Sequence, residues 1–366
     1  MKLVIQNTAR VWGGNEKSLA TLARGLSERG HEVVVSCAKG TVSERLRGMG
    51  IRITHFRPRG LVDFVSGASF AVWLKAERPD AVLLTSWSAI PWGALAAAMA
   101  GIDRVIVRQG IVRTVPAAGP HAYALRHWVD QVITNAPEIK AEWERSIPGF
   151  PRDHVHVVMN AVPPIAGDRK SHRRALRREI GVDDSTVVIS AAGIISRRKN
   201  FELLIDAFAI ASPANARIVI VGDGLHRAAL EKYAATAGVS DWIHFLGARD
   251  NAASIIAGSD MFVLSSRNEG MANVMLEAMA ARVPVIAADI SGVSAAIGPA
   301  SDRRDAGWIY PADDSRALAA IIERVIAGVR SGDNALESRV AEASWRIDNW
   351  FSESRMLDQS ERILFA

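Results

Sequence analysis

Short apolar runs recur along the chain, and between them lie segments whose apolar residues fall three and four positions apart. KLVIQN, HEVVVSC, IRITHF, AVLLTS, RVIVRQG, QVITN and VHVVMN fill the first half, with KSLATLARGLSERG and PWGALAAAMAG as helical segments between them. TVVISAAG, ARIVIVGDG, WIHFLG, MFVLSS, PVIAAD and GWIYP repeat the alternation in the second half. Strands alternating with helices predict an α/β chain of two Rossmann-like, doubly wound parallel sheets. The pattern breaks at NAVPPIAGDRKSHRRALRREIG, which places a linker near residues 163–168. The expected domains are therefore 1–165 and 166–345, facing each other across a cleft suited to two substrates. The last segment, 346–366 within ASWRIDNWFSESRMLDQSERILFA, reads as one amphipathic helix packed across the domain junction.

Composition narrows the class. The chain has 366 residues, 49% hydrophobic and 23% charged, as expected of a globular protein with two cores. The single cysteine, Cys37, excludes an internal disulfide and reads as a buried strand residue. The start MKLVIQN is too short and polar for a signal peptide, and AIPWGALAAAMAGI falls short of the ~20 residues needed to span a bilayer. A cytoplasmic protein is expected. The net charge of +5 is uneven: 20 Lys and Arg stand against 13 Asp and Glu up to residue 165, and 24 against 26 beyond it. A basic amino-terminal half, with Arg45, Arg47, Arg52, Arg57 and Arg59 and with Trp87 and Trp92 on another loop, suits an anionic membrane surface or is a solvated face. No zinc-finger spacing, aromatic RNA-binding signature or basic helix points to nucleic acid.

The stretch SSRNEGMANVMLEAMAARVPVIA, Ser265 to Ala287, carries two glutamates in otherwise apolar surroundings. It reads as the end of a strand, a loop, a helix from near Asn273 to before Pro284, and another strand, which puts Glu269 in the loop and Glu277 in the helix. Loops at the carboxyl ends of parallel strands are where open α/β sheets bind ligands. After the strand TVVISAAG, Arg197, Arg198 and Lys199 stand together before a helix, an unfavourable arrangement unless an anion joins them. The amides of Gly270, Met271, Ala272, Asn273 and Val274 are expected to face the same space. Carboxylates beside a phosphate site make sense when the ligand carries both kinds of group: amides and cations hold a diphosphate while carboxylates accept hydrogen bonds from sugar hydroxyls. A nucleotide-sugar fits. After the first strand, Gly13 and Gly14 precede a helix and either approach a phosphate closely or form a turn and cap in which Glu16 meets the helix dipole. The GDG turn of VGDGLHRAAL lacks the third glycine of a dinucleotide fingerprint, and His226 within it reads as a surface helix residue.

On these residues the chain resembles glycosyltransferase family 4, whose two-domain fold is called GT-B. The family's E-x7-E motif matches Glu269 to Glu277, its EG-x-x-N-V-x-L-EAMA surroundings match closely, and its GG-x-E…L-A-x-x-L-x-x-RGHEV opening matches Gly13 to Val33. GDG, FLG, VHVVMNAV and GWIYPADD follow in the family's order, so the resemblance spans nearly the whole chain. It implies that Glu277 binds the ribose hydroxyls, that Glu269 and the Gly270–Val274 amides face the sugar and phosphates, and that Arg198 and Lys199 hold the diphosphate. It further implies transfer with retained anomeric configuration and no metal or other cofactor, from a nucleotide-sugar donor to a carbohydrate or lipid-linked acceptor of envelope polysaccharide, lipopolysaccharide or glycolipid synthesis, at most peripherally at the inner face of the membrane.

Two departures stand out. Where many members carry Gly-Arg, this chain has Gly193-Ile194, so Arg197 or Arg198 is expected to supply the charge. The loop that supplies a histidine to the transferred sugar in many members here reads VIVRQGIVRTVP, which leaves Arg108, Gln109 and Arg113 as possible sugar or acceptor contacts. His121 lies beyond that loop and reads as a structural or surface residue. The alternatives are a nucleotide-sugar epimerase or phosphorylase on the same fold, separable by product analysis with and without an acceptor, and a noncatalytic scaffold, against which intact Lys199, Glu269 and Glu277 argue.

Overall fold

A computed structural model describes residues 1–56, 64–147, 149–300 and 303–365. Arg57 and Arg59 lie outside the described residues. The chain divides into two compact units, Met1–Ala161 with Glu353–Ala366, and Val162–Ser352.

In the first unit the described strands are β1 (Lys2–Gln6), β2 (Glu32–Ser36), β3 (Arg52–Thr54), β4 (Ala81–Leu84), β5 (Val105–Gln109), β6 (Gln131–Thr134) and β7 (Val155–Val157). They form one sheet in the order β3-β2-β1-β4-β5-β6-β7, and every pairing is parallel. In the second unit β8 (Val187–Ala192), β9 (Ala216–Val221), β10 (Ile243–Gly247), β11 (Met261–Leu264), β12 (Val285–Ala288) and β13 (Trp308–Tyr310) form a parallel sheet in the order β10-β9-β8-β11-β12-β13. Each apolar run of the sequence is one of these strands. Central strands such as β4, β11 and β12 are buried along their whole length because helices cover both faces of a parallel sheet.

The first unit has an apolar core on each face of its sheet. Phe70, Trp92, Leu125 and Trp143 pack on one face. Leu19, Leu22 and Leu26 of helix Gly14–Glu28 pack on the other, together with Met356, Leu357 and Leu364 of helix Glu353–Phe365. The carboxyl-terminal segment is thus two helices, not one. Helix Asn334–Trp350 belongs to the second unit and ends at Phe351, which is 1% exposed. Helix Glu353–Phe365 belongs to the first, held by Arg24 to Glu353, by Arg29 and His31 to Glu361, and by Leu357 packed over Gly25. The unit boundaries, at 161/162 and 352/353, lie a few residues from those expected at 165/166 and 345/346.

The basic segment after the linker forms helix Arg169–Ile180, capped by the Asp168 side chain accepting from the Ser171 N–H. Arg169, Arg173 and Arg177 are satisfied internally. Arg173 and Arg177 both reach Asp260, which also accepts from the Val188 N–H, so the helix is locked to the start of β8 and β11. Among the described residues no helix is long and apolar enough to cross a membrane.

Candidate functional site

In both sheets the strand order reverses at one place, between β1 and β4 and between β8 and β11. Connections leave the sheet in opposite directions there, so the loops at the carboxyl ends of those two strands open a crevice for a ligand. In the second unit these loops are 193–200 and 265–272, the segments that carry Arg197, Arg198, Lys199 and Glu269.

The two loops are stitched together. The Arg267 N–H donates to the Arg198 carbonyl at 2.8 Å, Ser265 Oγ to the Lys199 carbonyl at 2.9 Å, and Arg198 Nη1 to the Asn268 carbonyl at 2.9 Å. Asp313 Oδ1 accepts from Asn200 Nδ2 and from Arg267 Nε, each at 2.8 Å. Asn200 has φ +49°, a left-handed conformation that asparagine tolerates better than most residues. These ties turn the chain into helix Phe201–Ala211 with the Lys199 side chain lying across Gly193, where a Cβ would sit 2.7 Å from Lys199 Cε. Gly222 and Gly224 let the GDG turn approach the backbone of Gly193 and Ile195 more closely than any side chain allows. That contact requires the two glycines of the GDG turn.

Glu269 receives both cations. Lys199 Nζ and Arg198 Nη1 each lie 2.7 Å from its Oε1, and its side chain is 12% exposed. Burial alone raises a carboxyl pKa, but the charges of Lys199 and then Arg198, with their hydrogen bonds, outweigh it and hold Glu269 below the usual glutamate range. The three side chains share one cluster with a net charge of one positive unit, so the expected diphosphate cations also pair with the expected sugar-facing carboxylate. Arg197 is exposed and makes no side-chain hydrogen bond or ion pair among the described residues.

The expected helix is Asn273–Ala280, and its N-cap residue, Ala272, supplies no side-chain cap. Such an end favours anions through the helix dipole. Met271, Ala272, Asn273 and Glu277 are all at least nine-tenths buried, and Gly270 and Val274 complete the turn into the helix. The Gly270 carbonyl lies so close to Gly292, at φ +75°, that a Cβ there would overlap it. Gly292 therefore sets the path of the Gly270–Ala272 segment. Asn200, Ser265, Gly292 and Asp313 carry no signal in the sequence because their roles depend on contacts between separate loops.

In the first unit the corresponding loops follow β1 and β4. The Thr8 N–H donates to Ser86 Oγ at 2.9 Å, and Asn7 Nδ2 reaches Thr85 Oγ1 at 3.2 Å and Glu16 Oε1 at 3.4 Å. The Gly13 N–H donates to Glu16 Oε2 at 3.1 Å. This amide, expected to face a phosphate, is engaged by the carboxylate of its own helix, and Gly14 begins that helix. The turn and cap is the arrangement seen.

Of the possible acceptor contacts, Gln109 braces its own loop by donating to the Ile111 carbonyl at 2.8 Å. The Arg113 guanidinium lies 5.0 Å from the Trp87 ring centroid, and His121 stacks on the same ring at 4.3 Å. Burial holds His121 below the usual histidine pKa, as does the charge of Arg113, against the opposing effect of the Trp87 carbonyl. Arg108 is 8% exposed and donates to Asn160 Oδ1 at 3.0 Å. The basic face is also partly neutralised, since Arg52 pairs with Glu32 and Glu77, while Trp92 is buried. Cys37 is buried and its thiol is pushed up to about 11 by burial.

A family model described as Glycosyltransferase Family 4 matches residues 12–164, and one described as Glycosyl transferases group 1 matches residues 185–328. The chain belongs to the family 4 glycosyltransferases. The lipopolysaccharide core biosynthesis glycosyltransferase LpsE of Rhizobium meliloti is 26% identical over 339 residues, covering 90% of this chain and 89% of LpsE. A GDP-mannose-dependent alpha-mannosyltransferase of Mycobacterium tuberculosis is 29% identical over 310 residues, covering 78% of each chain. Among solved structures, HepE of Anabaena in complex with UDP and glucose superimposes with a TM-score of 0.83 at 21% identity, covering 100% of this chain and 99% of HepE. The glycosyltransferase thus has the GT-B fold, with one Rossmann-like sheet in each of its two units.

Proposed function

We propose that this glycosyltransferase moves a sugar from a nucleoside diphosphate donor to a hydroxyl of a carbohydrate or lipid-linked acceptor, with retained anomeric configuration and without a divalent metal, in envelope polysaccharide, lipopolysaccharide or glycolipid synthesis at the cytoplasmic face of a membrane. The observation that carries the reading is the cluster of Lys199, Arg198 and Glu269 at the switch point of the second sheet, beside the amino end of helix Asn273–Ala280. Relatives named for lipopolysaccharide core synthesis and for a GDP-mannose donor, and a fold neighbour that binds UDP, support the substrate classes.

In the reaction the bond between the anomeric carbon and the diphosphate oxygen breaks, and the leaving group gains negative charge. Lys199, Arg198 and the helix-end amides are fixed before that charge appears, so they favour the transition state over the ground state. The acceptor oxygen bonds to the anomeric carbon, and its proton passes to a phosphate oxygen of the departing nucleotide. Glu277, on the second turn of the helix, accepts from the ribose hydroxyls, while Glu269 orients the two cations and faces the sugar. These cations supply the positive charge that a metal provides elsewhere, which is the basis for metal independence.

Thermal unfolding with UDP-glucose, GDP-mannose and related donors identifies the donor, since a ligand at 100 times its Kd adds about 2.7 kcal/mol. With that donor, proton NMR of the first sugar released to water or transferred to acceptor is expected to show the donor's anomeric configuration, with turnover unchanged in excess EDTA. An inverted product refutes retention, and loss of turnover in EDTA refutes the metal-free reading.

A further inference from the structure

Arg108 occupies an unusual position for a charged residue. It is 8% exposed, and no ion pair to a carboxylate joins it among the described residues. Its hydrogen bond to Asn160 uses one of the guanidinium's five N–H groups, and its remaining nitrogens are not among the buried polar atoms left without a partner, so they keep an opening to solvent. A buried guanidinium without an anion is costly and is retained where an anion joins it. Burial depresses its pKa to about 10, which leaves it charged at neutral pH.

The surroundings are polar and built for a ligand. β5 pairs with β6 so that Arg108 lies opposite Ile133, which places Gly110 beside Asn135 just past the strand ends. A Cβ on Gly110 would sit 3.4 Å from Asn135 Nδ2 and 3.8 Å from Asn15 Oδ1, so the absent side chain leaves room among amides. Asn135 is 5% exposed, and its Oδ1 is buried with no hydrogen-bond partner among the described residues. A cation and an unused hydrogen-bond acceptor thus flank one strand end. Together they describe a ligand that carries both an acidic group and hydroxyls.

We infer that Arg108 is a specificity-determining residue which holds the carboxylate or phosphate of an acidic acceptor sugar, with Asn135 accepting from a neighbouring hydroxyl. The inference rests on the glycosyltransferase reading above and names its acceptor class. The donor diphosphate is assigned to Arg198 and Lys199 on the other sheet, which leaves Arg108 for the second substrate.

The test is ligand-observed NMR on the full chain saturated with UDP or GDP, so that the diphosphate site is filled. D-glucuronate and D-glucose 6-phosphate serve as acidic probes and D-glucose as the neutral one. At least one acidic probe is expected to bind about tenfold or more tighter than glucose, the range of a charge-assisted contact, and the stronger of the two tells carboxylate from phosphate. Arg108→Gln should abolish the preference, Arg108→Lys should restore part of it, and neither should lower the unfolding midpoint, since a buried charge without a carboxylate partner does not stabilise the fold. Equal binding of acidic and neutral sugars, an unchanged preference in Arg108→Gln, or nucleotide binding lost with the variant would each overturn the assignment. If neither UDP nor GDP binds, the donor assignment fails by itself, and the same comparison without nucleotide still decides Arg108.

Discussion

Lys199 Nζ lies 2.7 Å from Glu269 Oε1, and the two residues come from different loops that meet at the switch point of one sheet. Arg198 approaches the same oxygen at the same distance. One carboxylate therefore gathers two cations that would otherwise repel each other beside a helix amino end. The cluster holds the cations in place before a diphosphate arrives, which removes part of the ordering cost of binding.

The first prediction concerns acid stability. Glu269 has a folded pKa below its unfolded value of about 4.3, so the fold favours the ionised form. Its contribution is complete above the unfolded pKa and is lost as pH falls through the folded one. Urea unfolding of wild type and Glu269→Gln should show a constant stability gap from about pH 8 to pH 5 and a shrinking gap below about pH 4. A gap that stays the same size from above pH 5 to well below pH 4 would show that the carboxylate charge does not matter.

The second prediction concerns the backbone of the same site. Gly292→Ala meets both a left-handed φ of +75° and the Gly270 carbonyl, so a loss of about 1–3 kcal/mol is expected, together with weaker donor binding. Gly30, at φ +88°, has no neighbouring atom within 4 Å of where a Cβ would sit, so Gly30→Ala should cost only about 1–2 kcal/mol and leave donor binding intact. Denaturant unfolding and calorimetry on both variants make the comparison. Equal donor affinity in the two would mean that Gly292 does not shape the Gly270–Ala272 segment.

Both sheets were legible because parallel strands buried on both faces leave uninterrupted apolar runs, and β4, β11 and β12 stand out for that reason. Helix Asn273–Ala280 was legible from the change of period after Glu269 and from Pro284. The pairing of Glu269 with Lys199 was not, because it joins two loops far apart in sequence. Nor was the break at Phe351. The amphipathic pattern continues through it, and only the burial of Leu357 and Leu364 against helix Gly14–Glu28 shows that the last helix belongs to the first unit. Gly13 carried the right residue type for phosphate contact, yet its amide is engaged by Glu16, a contact that the same short stretch also predicts.

The third prediction concerns the scaffold. Arg177 and Asp260 are both 4% exposed and pair at 2.7 Å. Asp260→Asn leaves Arg177 buried without its counter-charge and should cost about 3–5 kcal/mol, detectable as a large fall in the unfolding midpoint. Arg177→Met with Asp260→Leu removes both charges of the pair and should recover part of that loss, because Arg173 and the Val188 N–H still lose Asp260. If the single variant unfolds like wild type, the pair does not anchor helix Arg169–Ile180.

The last prediction separates the two roles assigned to the cluster. Lys199→Ala removes a charge-assisted phosphate contact and should weaken nucleoside diphosphate binding by about 1.5–3 kcal/mol. Glu269→Gln acts in the opposite direction on the same ligand. It raises the local charge from one positive unit to two, so UDP or GDP should bind tighter by on the order of 1 kcal/mol, the Coulomb energy of unit charges roughly 8 Å apart at an effective dielectric constant near 40. Turnover with the intact donor should nevertheless fall, because the carboxylate no longer faces the sugar or fixes the geometry of Arg198 and Lys199. Calorimetry with the nucleotide and steady-state kinetics with the donor read the two effects independently. Tighter nucleotide binding with slower transfer is the expected pair of results. Weaker nucleotide binding in Glu269→Gln would mean that the carboxylate contributes to nucleotide affinity chiefly by positioning the cations, and unchanged turnover would remove Glu269 from the reaction.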